Sequence, residues 1–189
     1  MGKIEDLATA YHRHVSAPWQ RTLSGADRVM LVVYEKETER ALRARVGEFE
    51  QATIRADHLW SLIDCSKWFS EWMAAEEYRE AYFETPDLLA MKLDREFKPE
   101  ICRRLVAELE HADDNTVVAL LGVASLYGFV RVSEVVHDVE RAIRGRLVVF
   151  FPGTKNENNY RLLDARDGWN YLANGITLHG EGTAQGTAL

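Results

Sequence analysis

The sequence predicts an α/β fold, a mostly parallel sheet of about five strands flanked by helices. Short continuous apolar runs recur along the chain, as in strands covered on both faces. Between them, apolar residues return at helical spacing. The 189 residues, 47% of them hydrophobic, suffice for one domain with a real core.

The elements follow in order. Ile4, Leu7, Tyr11 and Val15 share one helical face, so an amphipathic helix comes first. Val29–Tyr34 is an apolar run bounded by charge and reads as the first, buried strand. Leu42, Val46 and Phe49 recur at i, i+4 and i+7 and predict one helix over roughly 36–52. His58–Ile63 is the second strand. The segment 66–98 is dense in aromatics with interleaved acids, and reads as two or three short helices broken at Pro86. A helix from about 99 to 111 buries Ile101, Leu105 and Leu109, with Pro99 near its first turn, where a missing N–H costs nothing.

Asp113-Asp114-Asn115 is a turn and Thr116–Leu121 the third strand. Val132, Val135, Val136, Val139 and Ile143 trace the next helix. Ser133 is its expected N-cap, Arg141 and Arg144 suit its negative end, and Gly145 is expected to stop it in a left-handed conformation. Arg146–Phe151 is the fourth strand, stopped by Pro152-Gly153, and Tyr160–Asp164 the fifth. These two are close enough to form a hairpin, which would make the sheet mixed. Residues 1–174 then form a single domain, and 175–189, rich in Gly, Thr and Ala, a frayed tail.

A net charge of −7 and a pI near 5.4 argue against a protein whose main business is gripping phosphate backbones. Cys65 and Cys102 lie far apart in apolar stretches and are expected to be reduced core thiols. The first residues lack the apolar run of a signal peptide, and no stretch approaches the roughly 20 apolar residues of a membrane span. These features place the expectation in the cytoplasm.

In an open α/β sheet, ligands bind where strands end and loops begin. The loop after the first strand, Tyr34-Glu35-Lys36-Glu37-Thr38, has no glycine to bring backbone N–H groups onto a phosphate. The layout is thus nucleotide-binding-like without a phosphate loop. The tail glycines Gly180, Gly182 and Gly186 are spaced one residue too long for a dinucleotide fingerprint. Ser125 stands off centre between Gly122 and Gly128, unlike a nucleophile elbow. His12 and His14, two apart, point to different sides of a helix; His58, His111 and His137 read as solvated.

Two patterns have chemical readings. Pro86-Asp87 followed by Glu96-Phe97-Lys98 matches the nuclease arrangement in which two acids hold Mg²⁺ and a lysine steadies the attacking hydroxide. That site needs its E-x-K on a strand, and 92–99 lacks β-branched residues, so a solvated charged segment is favoured. Asp164, Arg166 and Asp167-Gly168 could bind a cation, but a tight turn with local capping is the simpler account. A third alternative, a degenerate nucleotide site, rests on the loop 122–131. The chain is expected to carry no catalytic, cofactor-binding or metal-binding residues.

Two longer stretches carry a family resemblance. Gly145–Gly153 followed by Tyr160–Ala173, and Leu120–Val136, resemble the C-terminal signature and central block of the BrxB family of bacterial BREX (bacteriophage exclusion) operons. Gly128 stands where that pattern expects proline. The likeness covers about 115–173; the N-terminal part is similar only in its strand-then-helix layout around Val29–Val46. It implies a non-catalytic component of a phage-defence complex, without cofactor. Its implied neighbours are an AAA-type ATPase, a DNA adenine methyltransferase and a PglZ-type protein of the alkaline-phosphatase superfamily, the last being the expected partner. The expected contact surface is the aromatic segment 66–83, with Trp68, Trp72, Tyr78 and Tyr82, because Trp and Tyr give much contact area at low entropic cost. Trp68 and Trp72 fit a core role as well as an interface one.

Overall fold

A computed structural model describes residues 2–20, 22–156, 159–163, 169–170 and 174–178. Helix α1 (Lys3–Val15) buries Leu7, Tyr11 and Val15 completely. Strand β1 (Val29–Tyr34) is buried along its whole length. In place of one helix over 36–52 there are two, α2 (Glu39–Ala44) and α3 (Gly47–Arg55). The break falls at Arg45-Val46, just before Gly47, a poor residue for a helix interior. Leu42 and Phe49 both still reach the core, since seven residues return to nearly the same face. Strand β2 (Leu59–Asp64) lies at one end of the sheet order, with Leu59 and Leu62 exposed rather than covered.

The connection to the next strand holds α4 (Trp68–Ala74), α5 (Arg79–Glu84), a 3-10 turn at Pro86–Leu89 and α6 (Ala90–Lys92). A π-turn at Leu93–Phe97 then leads into α7 (Lys98–His111) without leaving helical geometry. Pro99 is in the first turn of α7, as expected, although the π-turn makes the helical run continuous with α6. The Lys98 N–H reaches back five residues to Leu93 O, and this wider turn accommodates a proline ring that would clash with the carbonyl four residues earlier.

Strand β3 (Thr116–Leu121) is fully buried, and α8 (Val132–Val139) follows with Val132, Val135, Val136 and Val139 inward. Arg131, not Ser133, holds the N-cap position, and it makes no side-chain cap. The α-helix gives way to a 3-10 turn at Glu140–Ala142, and Ile143 is already extended. Gly145 is not left-handed. It is glycine because a Cβ there would stand 3.0 Å from the Thr116 carbonyl carbon and closer still to its oxygen.

Strand β4 (Arg146–Asn156) runs through Pro152-Gly153 instead of stopping there. Its far half pairs antiparallel with β5 (Asn159–Leu162), the expected hairpin, and β5 pairs with β6 (Trp169–Asn170). Gly153 permits this because a Cβ would meet the Arg161 carbonyl. Strand β7 (Asn174–Ile176) pairs parallel with β1 and buries Ile176, so the ordered sheet reaches into the region read from composition as tail. Residues 179–189, and residues 164–168, where a tight turn was expected, lie outside the described residues.

The strand order is β2-β3-β4-β1-β7, parallel throughout, with β5 and β6 attached to the long strand β4. The fold class expected from the sequence is therefore observed, with two further short strands. Alternate strand residues feed two cores. Met30, Val32, Val117, Ala119, Val148 and Phe150 pack under α1–α3. Leu31, Val118, Leu120, Leu147, Val149 and Phe151 pack under α4, α7 and α8. In the first core, the Thr53 hydroxyl donates to Phe49 O at 2.9 Å, which leaves Tyr11 as donor to Thr53 at 2.6 Å.

Candidate functional site

The carboxyl ends of β1, β2 and β3 meet in a polar cluster. Arg43 on α2 donates to Glu39 at 2.7 Å, to Asp64 at 2.8 Å and to the Ser66 hydroxyl at 2.6 Å. Tyr34 donates to Glu39, and Ser66 donates to Asp64 from both its amide and its hydroxyl. Burial pushes the Asp64 carboxyl up, but the Ser66 and Arg43 donors outweigh it and hold the group below the usual carboxylate range. Gly122 caps the cluster at φ +89°; a side chain there would run into Ser66 and Asp64. The groups satisfy one another and brace α2 against the ends of β2 and β3.

The loop 122–131, the alternative nucleotide site, follows the carboxyl end of β3. Val123 and Leu126 are buried in it. The amides of Ser125, Tyr127, Phe129 and Val130 all donate to carbonyls inside the loop, so these are not offered to an anion. The Ser125 hydroxyl donates to Gly122 O at 2.8 Å and lies 3.3 Å from Cys65 O. Phe129 stacks on Phe69 of α4 with centroids 3.6 Å apart, which pins the loop from outside. Cys65 beneath it is fully buried; its thiol donates to Leu121 O and is pushed up to about 12, chiefly by desolvation.

Asp87, Glu96 and Lys98 lie along one helical run, not on a strand. Lys98 turns to α8, where it meets Glu134 at 2.8 Å and Asp138 at 3.2 Å; Glu96 pairs with Lys92 at 3.4 Å. Lys98 is thus held by a different helix from the acids the pattern would pair with it. Among the described residues no group of three or more His, Cys, Asp or Glu side chains is placed to hold a metal.

The aromatic segment divides in two. Trp68 is buried, with Arg104 over its ring at 5.9 Å. Trp72 is half-buried 5.0 Å from Phe97 and 6.3 Å from Phe69. These two belong to the core. Tyr82 is half-buried beside the Lys92 ammonium at 5.7 Å. Tyr78 is 63% exposed, and so are Phe83 at 63%, Leu88 at 58% and Met91 at 68%. Glu76 and Lys92 form an ion pair that ties the two ends of this excursion together. Four large apolar side chains within 78–91 thus face solvent on a braced support, a feature that marks interaction sites more often than scattered surface residues do. Of the candidate contact residues, only Tyr78 is fully on this surface. Phe83 falls at the edge of the expected segment 66–83, whereas Leu88 and Met91 were missed because helical periodicity assigns apolar residues inward; the signal available was an excess of apolar residues over what so short a helix can bury.

Among the described residues no helix is long and apolar enough to cross a membrane. No curated protein and no solved structure matches the chain. Residues 56–174, from the turn before β2 to the start of β7, match the family model described as BREX protein BrxB. That span is well over half of the 189 residues and takes in both the solvent-facing excursion and the signature strands β3 and β4, so the chain belongs to the BrxB family of the BREX phage-defence system.

Proposed function

We propose that this protein is a non-catalytic adaptor of a BREX complex that binds a PglZ-type protein of the alkaline-phosphatase superfamily through the 78–91 surface. The observation that carries this reading is the exposure of Tyr78, Phe83, Leu88 and Met91 together on one excursion. Aromatic and Met anchors of this kind form the centres of protein interfaces, and a contact of about 1,200–2,000 Å² is within reach of a domain this small. Family membership supplies the setting, in which an AAA-type ATPase and an adenine methyltransferase are further candidate neighbours. The closed cluster at Asp64 and the filled loop 122–131 agree with a role in holding rather than converting. Calorimetric titration of the purified partner into this protein, with and without ATP, tests the proposal. Binding without nucleotide is expected, weakened about thirtyfold or more by Tyr78→Ala or Phe83→Ala. No binding at tens of micromolar, or binding that requires nucleotide, would overturn it.

A further inference from the structure

The opposite, amino-terminal end of the sheet carries a different kind of site. Arg28 immediately precedes β1 and Arg146 opens β4; the register Val29↔Leu147 sets the two arginines side by side on neighbouring strands. Adjacent strands lie about 4.8 Å apart, so two guanidinium groups share one small region. Like charges placed opposite each other in a sheet are destabilising unless something offsets them.

Among the described residues Arg146 has no carboxylate to do so. It is 8% exposed, and its guanidinium donates only to Gly145 O, at 3.0 Å, among the described residues. No carboxylate there comes within ion-pair distance of it. Burial first, and Arg28 second, push its pKa down, as expected for a cation short of a counter-charge. Charged side chains are rarely buried unless paired, and an uncompensated one marks a place where a partner is missing.

Arg146 lines a hollow of about 440 Å³ between the ends of β1, β2, β3 and β4. Arg28 and Arg144 also line it. Arg28 is held in place by the carbonyls of Ile143 at 3.0 Å and Arg144. One wall is aromatic: Trp19 stacks on His58 with centroids 3.7 Å apart and planes within 11°, and Arg146 lies 4.6 Å from the Trp19 ring centre. Trp19 is itself fixed by donating to Val15 O at 3.0 Å, and His58 by Asn115 at 2.6 Å. Asp114 is the acid on the rim, against three arginines.

We infer that this hollow binds a phosphate-bearing ligand, with Arg146 and Arg28 clamping the phosphate. A carboxylate has one oxygen edge to share between two guanidiniums, whereas a phosphate has an oxygen edge for each planar fork. The hollow exceeds the volume of a bare phosphate, which leaves room for an attached organic group. The net charge of −7 hides this cluster, because its three arginines come from two stretches of chain more than 100 residues apart. The inference is independent of the adaptor reading.

Thermal unfolding at constant ionic strength tests it, with inorganic phosphate, AMP and acetate as probes. Phosphate and AMP are expected to raise the melting temperature of the full chain saturably, and acetate is not. Tighter binding of AMP identifies a phosphomonoester; equal binding identifies a bare phosphate. Arg146→Gln is expected to melt no lower than the parent without ligand, since it relieves repulsion, and to lose phosphate affinity at least about tenfold. Should that variant fail to fold, Arg144→Ala on the exposed rim is expected to weaken phosphate binding several-fold. An NMR titration should move the Trp19 indole N–H and the His58 ring signals. Equal stabilisation by acetate, full retention of the phosphate effect in both variants, or shifts confined to other residues would overturn the inference.

Discussion

Gly145 separates two physical reasons for a glycine, and the structure predicts which one governs. A glycine that ends a helix in a left-handed conformation can be replaced by Asn with little loss, because Asn tolerates positive φ better than Ala does. A glycine that admits a neighbouring strand cannot, since Asn is larger than Ala. Gly145 has ordinary φ, and a Cβ would sit 3.0 Å from the Thr116 carbonyl carbon, 3.1 Å from its amide nitrogen and nearer still to its oxygen. Ordinary contact begins near 3.4 Å, so β3 and β4 must part by well over 0.4 Å at the point where Val117 pairs with Arg146. Overpacking of this kind costs about 1–3 kcal/mol. For a domain of this size, 2 kcal/mol lowers Tm by about 4–8 °C. Calorimetric melting of Gly145→Ala and Gly145→Asn measures it, with Asn expected to be at least as damaging as Ala. An Asn variant that melts like the parent while Ala falls would show that backbone conformation, not close approach, is the constraint. Because Gly145 lies between two of the hollow's arginines, both variants should also lose the phosphate-induced shift.

Three further outcomes are expected. Trp72→Ala should destabilise the free protein by about 3–5 kcal/mol, because it vacates the space against Phe97 and Phe69. Tyr78→Ala should stay within about 0.5 kcal/mol of the parent; chemical unfolding distinguishes the two. Cys65 is a protonated thiol in the fold, with its pKa raised, so its contribution is complete below the unfolded pKa near 9 and is lost as pH rises toward about 12. Urea midpoints measured from pH 8 to 11 should fall less steeply in Cys65→Ala than in the parent, and the parent thiol should label slowly under native conditions. Glu96→Ala and Lys98→Ala should each preserve phage resistance in a complementation assay. Loss of resistance with an intact fold would restore the nuclease reading of Asp87, Glu96 and Lys98.

The strands were legible because buried β-structure writes itself as continuous apolar runs, and Val29–Tyr34 and Thr116–Leu121 are covered along every residue. Breaks in helices were less legible. Leu42 and Phe49 keep the same phase on either side of Arg45-Val46, so periodicity cannot register the interruption. Pro99 marked the first turn of α7 correctly, but the π-turn at Leu93–Phe97 that joins it to the preceding helix has no local signature. Of the aromatics, composition announced the cluster but not its division. Trp68 and Trp72 face Phe97 and Arg104 across contacts from another helix, which no local pattern encodes.

The two ends of the sheet differ in a way that bears on function. At the carboxyl end, where α/β proteins of this layout usually bind ligands, each charge has an internal partner: Arg43 answers Glu39 and Asp64, and the loop amides answer their own carbonyls. Such a region gives up its hydrogen bonds only at the cost of leaving buried polar groups unmet. At the amino end, Arg146 is buried beside Arg28, and among the described residues it has one carbonyl and the Trp19 ring as partners. A fold that carried this repulsion without return would gain stability by replacing Arg146 with an apolar residue of similar size, as buried charges elsewhere can be replaced. The inferred anion site thus lies at the amino end of the sheet, away from the closed carboxyl end. The excursion 78–91 lies on the β2–β3 connection, so a partner seated there and an anion held between Arg28 and Arg146 would engage separate parts of the same domain.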